Sequence, residues 1–260
     1  MSRRASDVSP PLAGWTVISL RPRGQHAAVR AAATRIGAGV LALSPLAIEP
    51  RHDAASRRAL GEALAADVVL FTSPNAVRAA AALRRLRIAR GRPVMAVGDG
   101  TRRALQRLGV DAMSPTRMDS EGLLAMPALC EVDGRSIGLV TAPGGRNRLA
   151  PALQSRGAEV CRADVYERTH ATITAARWQA LATLLATPEH VVLALSSAEA
   201  LDAVLRQRPA HLEKALRRIA VTAASERLAQ AARDAGFRRI AIAADARPAS
   251  LLRAAADAFV

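Results

Sequence analysis

The sequence predicts an α/β protein made of two similar parallel-sheet domains joined by a two-strand linker, the second inserted in the first. Three observations carry this prediction. The chain repeats itself: VVLFTSPNAV (Val68 to Val77) returns as VLALSSAEAL (Val192 to Leu201), and VMAVGDGTRRAL (Val94 to Leu105) returns as RIAVTAASERLA (Arg218 to Ala229). Both pairs share one offset, which sets Ser73 against Ser197 and Thr101 against Ser225. Each copy reads as a short β-branched run, a small polar residue and an Ala/Leu/Arg helix pattern, the spelling of a βα unit. Finally, two extended stretches, about 40–50 and 159–170, frame the middle of the chain like a pair of crossing linkers.

Taken in order, the strand Thr16 to Leu20 ends at Arg21-Pro22-Arg23-Gly24, and a helix runs to about Ile36, where Gly37 and Gly39 stop it. Val40 to Pro50 carries Pro45 and Pro50, which suit a linker better than a central strand. Four βα units follow, with strands Asp67 to Thr72, Val94 to Val97, Asp111 to Ser114 and Ser136 to Thr141. The chain then runs extended from Glu159 to Arg168, a stretch opened by Ser155-Arg156-Gly157-Ala158, which echoes Arg35-Ile36-Gly37-Ala38. Three further βα units have strands His190 to Leu195, Ile219 to Thr222 and Arg239 to Ala243, and the N-terminal strand rejoins their sheet. The expected domains are therefore a discontinuous flavodoxin-like one over 1–42 with 170–260, and an inserted one over 43–169. Function is expected in the cleft between them.

Composition narrows the function classes. The 260 residues suffice for two modest cores, and half of them are apolar, so the chain is not disordered. No apolar run approaches the roughly 18 residues that span a bilayer, and Met1 to Gly14 reads as a loose arm and not a signal peptide. Two cysteines, Cys130 and Cys161, make neither a disulfide framework nor a metal knuckle. The five histidines lack ligand spacing and read as solvated or capping residues. A reducing cytoplasm and no metal are expected. The net charge of +15 rests on 37 basic residues, all arginine except Lys214. Six aromatics and no groove-reading module speak against nucleic acid, whereas arginine forks suit a small polycarboxylate or phosphate.

Ligands of parallel sheets sit beyond the carboxyl ends of the strands, at helix N-termini. Standing there are Arg21 and Arg23; Thr72, Ser73 and Asn75; Gly98, Asp99 and Thr101; Gly144, Gly145 and Arg146; Ser196 and Ser197; Thr222 and Ser225. Any one of the hydroxyls can be a plain helix cap. Together they describe an anion binder.

These residues carry a resemblance. The order Arg21-Pro22, Thr72-Ser73-Pro74-Asn75-Ala76-Val77, Val97-Gly98-Asp99-Gly100-Thr101, Gly144-Gly145-Arg146, Val165-Tyr166-Glu167-Arg168, Ser196-Ser197 and Gly236-Phe237 resembles the uroporphyrinogen-III synthase family, from about Thr16 to Leu252. The resemblance implies a cofactor-free cyclisation of hydroxymethylbilane, a linear tetrapyrrole bearing eight carboxylates. Water leaves the terminal hydroxymethyl group, ring D attacks the resulting azafulvene through its substituted carbon, and a spiro intermediate recloses with that ring inverted. It further implies that Tyr166, the sole tyrosine, donates the proton to the departing hydroxyl, and that Arg21, Thr72, Ser73, Asn75, Gly98, Thr101, Gly144, Gly145, Arg146, Ser196, Ser197, Thr222 and Ser225 bind substrate. A monomer, with no nucleic-acid or membrane partner, is expected. A reading from another class has the same scaffold as a non-catalytic, hinge-bending binder of a polyanionic small molecule.

Overall fold

The computed structural model describes residues 10–117, 120–143 and 148–260. In chain order its elements are β1 (Thr16–Ser19), α1 (Ala27–Arg35), β2 (Gly39–Ala42), β3 (Leu46–Pro50), α2 (Ala54–Ala65), β4 (Val68–Phe71), α3 (Pro74–Leu83), β5 (Val94–Ala96), α4 (Asp99–Gln106) and α5 (Ser120–Leu124). There follow β6 (Ser136–Thr141), α6 (Leu149–Gln154), β7 (Glu159–Asp164), β8 (Tyr166–His170), α7 (Ala175–Leu184), β9 (Val191–Leu195), α8 (Ala198–Gln207), α9 (Glu213–Leu216), β10 (Ala220–Ala223), α10 (Glu226–Asp234), β11 (Arg239–Ile242) and α11 (Pro248–Phe259). The chain divides into two compact units. The first takes the described residues up to Ala47 together with His170–Val260, and the second takes Ile48–Thr169.

The first unit is built on a five-stranded sheet in the order β11-β10-β9-β1-β2, every pair parallel. Parallel neighbours require a crossover, and the helices that provide it bury both sheet faces. Ile18, Leu193 and Val221 belong to one apolar cluster, and Val17, Val192 and Ala220 belong to another. The second unit repeats the plan with a four-stranded parallel sheet, β5-β4-β6-β7. Phe71 and Val140 enter one of its clusters, and Leu70 and Leu139 the other.

The two edge strands β2 and β7 are launched by the same device. Gly37 (φ 79°) and Gly157 (φ 82°) take the left-handed conformation. Beyond each, the amide of Ala38 or Ala158 donates to the carbonyl of Ala33 or Leu153, while the glycine amide donates to Thr34 or Gln154. This is the Schellman ending, which a residue with a Cβ accommodates poorly.

Several local expectations are corrected. Residues 39–42 and 159–164 are not linkers but strands β2 and β7, each an edge strand hydrogen-bonded along its length to a sheet. Edge positions tolerate their polar residues, and Pro45 falls after the ladder has ended. The linker proper is the pair β3 and β8, held at its ends by Arg51 N–H to Val165 C=O (3.0 Å) and Ala171 N–H to Pro45 C=O (2.8 Å), an antiparallel ribbon. Asp111 to Ser114 contributes no strand, only a bridge from Met113 to Met95. The helix α2 fills the gap before β4, capped by Asp53, whose side chain accepts from Ser56 N–H at 2.7 Å.

Candidate functional site

The second unit gathers its site residues at the carboxyl ends of β4, β5 and β6. Ser73 leaves β4 fully extended (φ −162°, ψ 160°) and caps α3, its Oγ accepting from Ala76 N–H at 3.0 Å, with Pro74 at the first helical position. Thr72 Oγ1 donates to Thr141 Oγ1 at 2.9 Å, tying the ends of β4 and β6 together. Tyr166 opens β8 with its ring in the apolar core, only 2% exposed, and its Oη lies 3.3 Å from Ser73 Oγ. Thr72, Ser73, Thr141, Tyr166 and Arg168 line a cavity of about 170 Å³. Ser73 Oγ accepts the helix amide and keeps a second lone pair and its own proton, so either hydroxyl of the Ser73–Tyr166 pair can donate to the other.

The other predicted residues of this unit divide. Gly98, extended at φ −167°, is the N-cap of α4, while Thr101 lies inside the helix and is 4% exposed. The intervening Asp99 binds Arg102 (2.8 Å) and Arg103 (3.1 Å), and the Arg102 hydrogen bond lowers its carboxyl pKa, so it presents a neutralised charge. Asn75, in the first turn of α3, accepts from Arg78. Gly144, Gly145 and Arg146 fall outside the described residues.

In the first unit, Ser197 caps α8 by accepting Ala200 N–H at 3.2 Å, with Ser196 exposed before it. Ser225 occupies the N-cap of α10 without a side-chain cap bond. Arg21 follows β1, half-buried, and desolvation lowers its pKa. Thr222 sits within β10, is 0% exposed, and its Oγ1 has no hydrogen-bond partner, so its side chain lies in the core and not among the residues at the strand ends. The cause is a register slip between the copies. Strand ends and caps pair Phe71 with Leu195 and Ser73 with Ser197, as the sequence offset requires, but Ala96 pairs with Ala223 and Gly98 with Ser225, three residues further on. The counterpart of Gly98 is Ser225, not Thr222.

One feature escaped the sequence reading. His26, 8% exposed, occupies the N-cap position of α1 but its side chain makes no cap bond: Nδ1 lies 2.9 Å from Ser19 Oγ and Nε2 2.8 Å from Ser44 Oγ. Burial, followed by the charges of Arg30, Arg21 and Arg177, pushes its pKa down and so favours the neutral ring. It floors a second cavity of about 430 Å³, also lined by Arg23, Arg30, Ser44, Thr174 and Arg177. The available signal was His26 four residues before Arg30 at a helix start, but Ser44 and Arg177 come from distant segments.

Among the described residues no group of three or more His, Cys, Asp or Glu stands together as a metal site. Among the described residues no helix is long and apolar enough to cross a membrane.

The family model described as uroporphyrinogen-III synthase HemD matches residues 27–253. The uroporphyrinogen-III synthase of Salmonella typhimurium is 33% identical over 166 residues, 61% of this chain, and that of Escherichia coli is 32% identical over 140 residues, 52% of this chain. The matched stretch spans 65% of the length of the first relative and 54% of the second. Among solved structures, uroporphyrinogen-III synthetase from Helicobacter pylori shares the fold with a TM-score of 0.62 at 15% identity, over 94% of this chain and 98% of that one. A mutant uroporphyrinogen III synthase from Thermus thermophilus does so with a TM-score of 0.58 at 22% identity, over 92% and 96%.

Proposed function

The chain belongs to the uroporphyrinogen-III synthase family, and from that membership we propose that it closes hydroxymethylbilane to uroporphyrinogen III with loss of water and inversion of ring D. The observation that supports this reading most directly is the hydroxyl pair Ser73 and Tyr166 at the edge of a cavity, 3.3 Å apart. A phenol is protonated at neutral pH, and a neighbouring hydroxyl that donates to its oxygen stabilises the charge left as its proton departs. Tyr166 is then the acid that protonates the leaving hydroxyl, and Ser73 the group that orients it.

Substrate carboxylates are met by helix N-termini and their flanking residues, Ser73, Gly98, Ser197 and Ser225, and by the arginines near them, Arg21 included. Fixing ring D so that its substituted carbon meets the azafulvene is the larger part of the task. Orientation of that kind is worth up to about 7–11 kcal/mol. On the same reading the enzyme works without metal or cofactor, as a monomer, in the cytoplasm.

The test supplies freshly prepared hydroxymethylbilane, oxidises the products and separates the uroporphyrin isomers with and without the protein. Protein-dependent formation of isomer III is the expected result. Isomer I alone, from folded protein, would overturn the reading.

A further inference from the structure

The His26 cavity has the composition of a receptor for negative charge. Its cations come from three separate segments: Arg23 from the turn after β1, Arg30 from α1 and Arg177 from α7. Among the described residues none of the three forms an ion pair or side-chain hydrogen bond, and no Asp or Glu lines the cavity. The starts of α1 and α7 also border the cavity, and neither has an acidic residue in its first turn nor a side-chain cap bond. At about 430 Å³ the space falls within the roughly 300–1,000 Å³ of small-molecule sites.

We propose that this cavity is a carboxylate-binding site, in which Arg23, Arg30 and Arg177 take the two carboxylate arms of one pyrrole ring and His26 supports the floor. His26 commits both ring nitrogens to Ser19 and Ser44, so it contributes shape and position while the arginines contribute charge. Three guanidinium forks on three segments suit two separated carboxylates better than one compact tetrahedral oxyanion. The identity of the ring's bearer, hydroxymethylbilane with two carboxylates on each of four rings, rests on the proposed function; the anion selectivity of the cavity does not.

The experiment titrates the full chain with a monopyrrole bearing two carboxylate arms on adjacent carbons, and separately with inorganic phosphate, by calorimetry. Arg30→Gln and Arg177→Gln are compared with Arg58→Gln, an exposed arginine outside the cavity; all three positions are exposed, so folding is retained. Each cavity variant is expected to weaken monopyrrole binding by about tenfold, to raise KM for hydroxymethylbilane with little change in kcat, and Arg58→Gln is expected to do neither. Monopyrrole binding that ignores both cavity arginines would overturn the proposal, as would tighter binding of phosphate than of monopyrrole at those arginines. If the chain binds monopyrrole through Arg30 and Arg177 but yields only isomer I, the site stands and the synthase reading falls. If it yields isomer III while the cavity variants keep wild-type KM and binding, the synthase reading stands and the site falls.

Discussion

Ser73 Oγ serves two partners at once: it accepts the amide of Ala76 at 3.0 Å as the cap of α3, and it lies 3.3 Å from Tyr166 Oη. The cap fixes the hydroxyl in place, and the hydroxyl in turn fixes the phenol. Tyr166→Phe keeps the buried ring and removes only the oxygen. The expected outcome is isomer III formation slowed by about a hundredfold, the low end of the range for general acids, with product affinity nearly unchanged. Wild-type kcat in the variant would leave Tyr166 a packing residue.

Ser73→Ala removes both bonds, and the two losses separate experimentally. Loss of the cap costs about 1 kcal/mol of stability, read by denaturant unfolding. Loss of the hydroxyl beside Tyr166 lowers kcat as well. Ser73→Asp restores a cap but places an acceptor-only carboxylate against the phenol, so stability should recover while kcat stays low. Recovery of both would remove the orienting role.

The sequence made the strands and most caps legible because burial and helix starts are local. β4 and β9 are wholly apolar runs, and Ser73 and Ser197 announce their helices. Edge strands were less legible. β7, Glu-Val-Cys-Arg-Ala-Asp, is polar enough to read as a linker, because an edge buries little of its length. That the strand runs one residue past Thr222, to Ala223, was illegible, because the two copies match better by residue type at the wrong offset than at the right one. The His26 cavity depends on Ser44 and Arg177, which only the folded chain brings to the histidine.

Thr222 supplies a prediction that distinguishes burial from binding. Its Oγ1 is fully buried with no partner, so it carries a desolvation cost with no compensating bond. Thr222→Val, equal in shape, is expected to stabilise the protein by about 1 kcal/mol and leave KM unchanged. A large rise in KM would restore Thr222 to the substrate.

Gly138 in the middle of β6 carries no unusual dihedral; what demands glycine is the neighbouring helix. A Cβ there would meet the carbonyl oxygen of Ala63 in α2 at 1.8 Å, backbone that cannot step aside. Gly138→Ala is expected to destabilise the second unit by about 3 kcal/mol through overpacking. Gly39→Ala, whose nearest contact would be Thr16 Oγ1 at 3.5 Å, should cost far less. Comparable melting for the two variants would mean that α2 shifts freely over the sheet.

The neutral His26 makes stability depend on pH in a definite direction. Burial, with Arg30, Arg21 and Arg177, lowers its pKa in the folded state below the ordinary 6.5. Between the folded value and 6.5 the unfolded chain holds more protons than the native one, so stability rises with pH across that window. Well above 6.5 the histidine is neutral in both states and contributes no slope. As pH falls through 6.5, wild-type protein should lose stability relative to His26→Gln until the folded value is reached. Gln keeps a donor and an acceptor for Ser19 and Ser44 but cannot titrate, so the difference between the two denaturation curves from pH 7.5 to 5 isolates the imidazole. Occupancy of the cavity by a carboxylate would offset the arginine charges and raise the folded pKa, so added ligand should shrink the difference. Parallel curves for the two proteins would mean that His26 is protonated as readily folded as unfolded, and that the three arginines do not act on it.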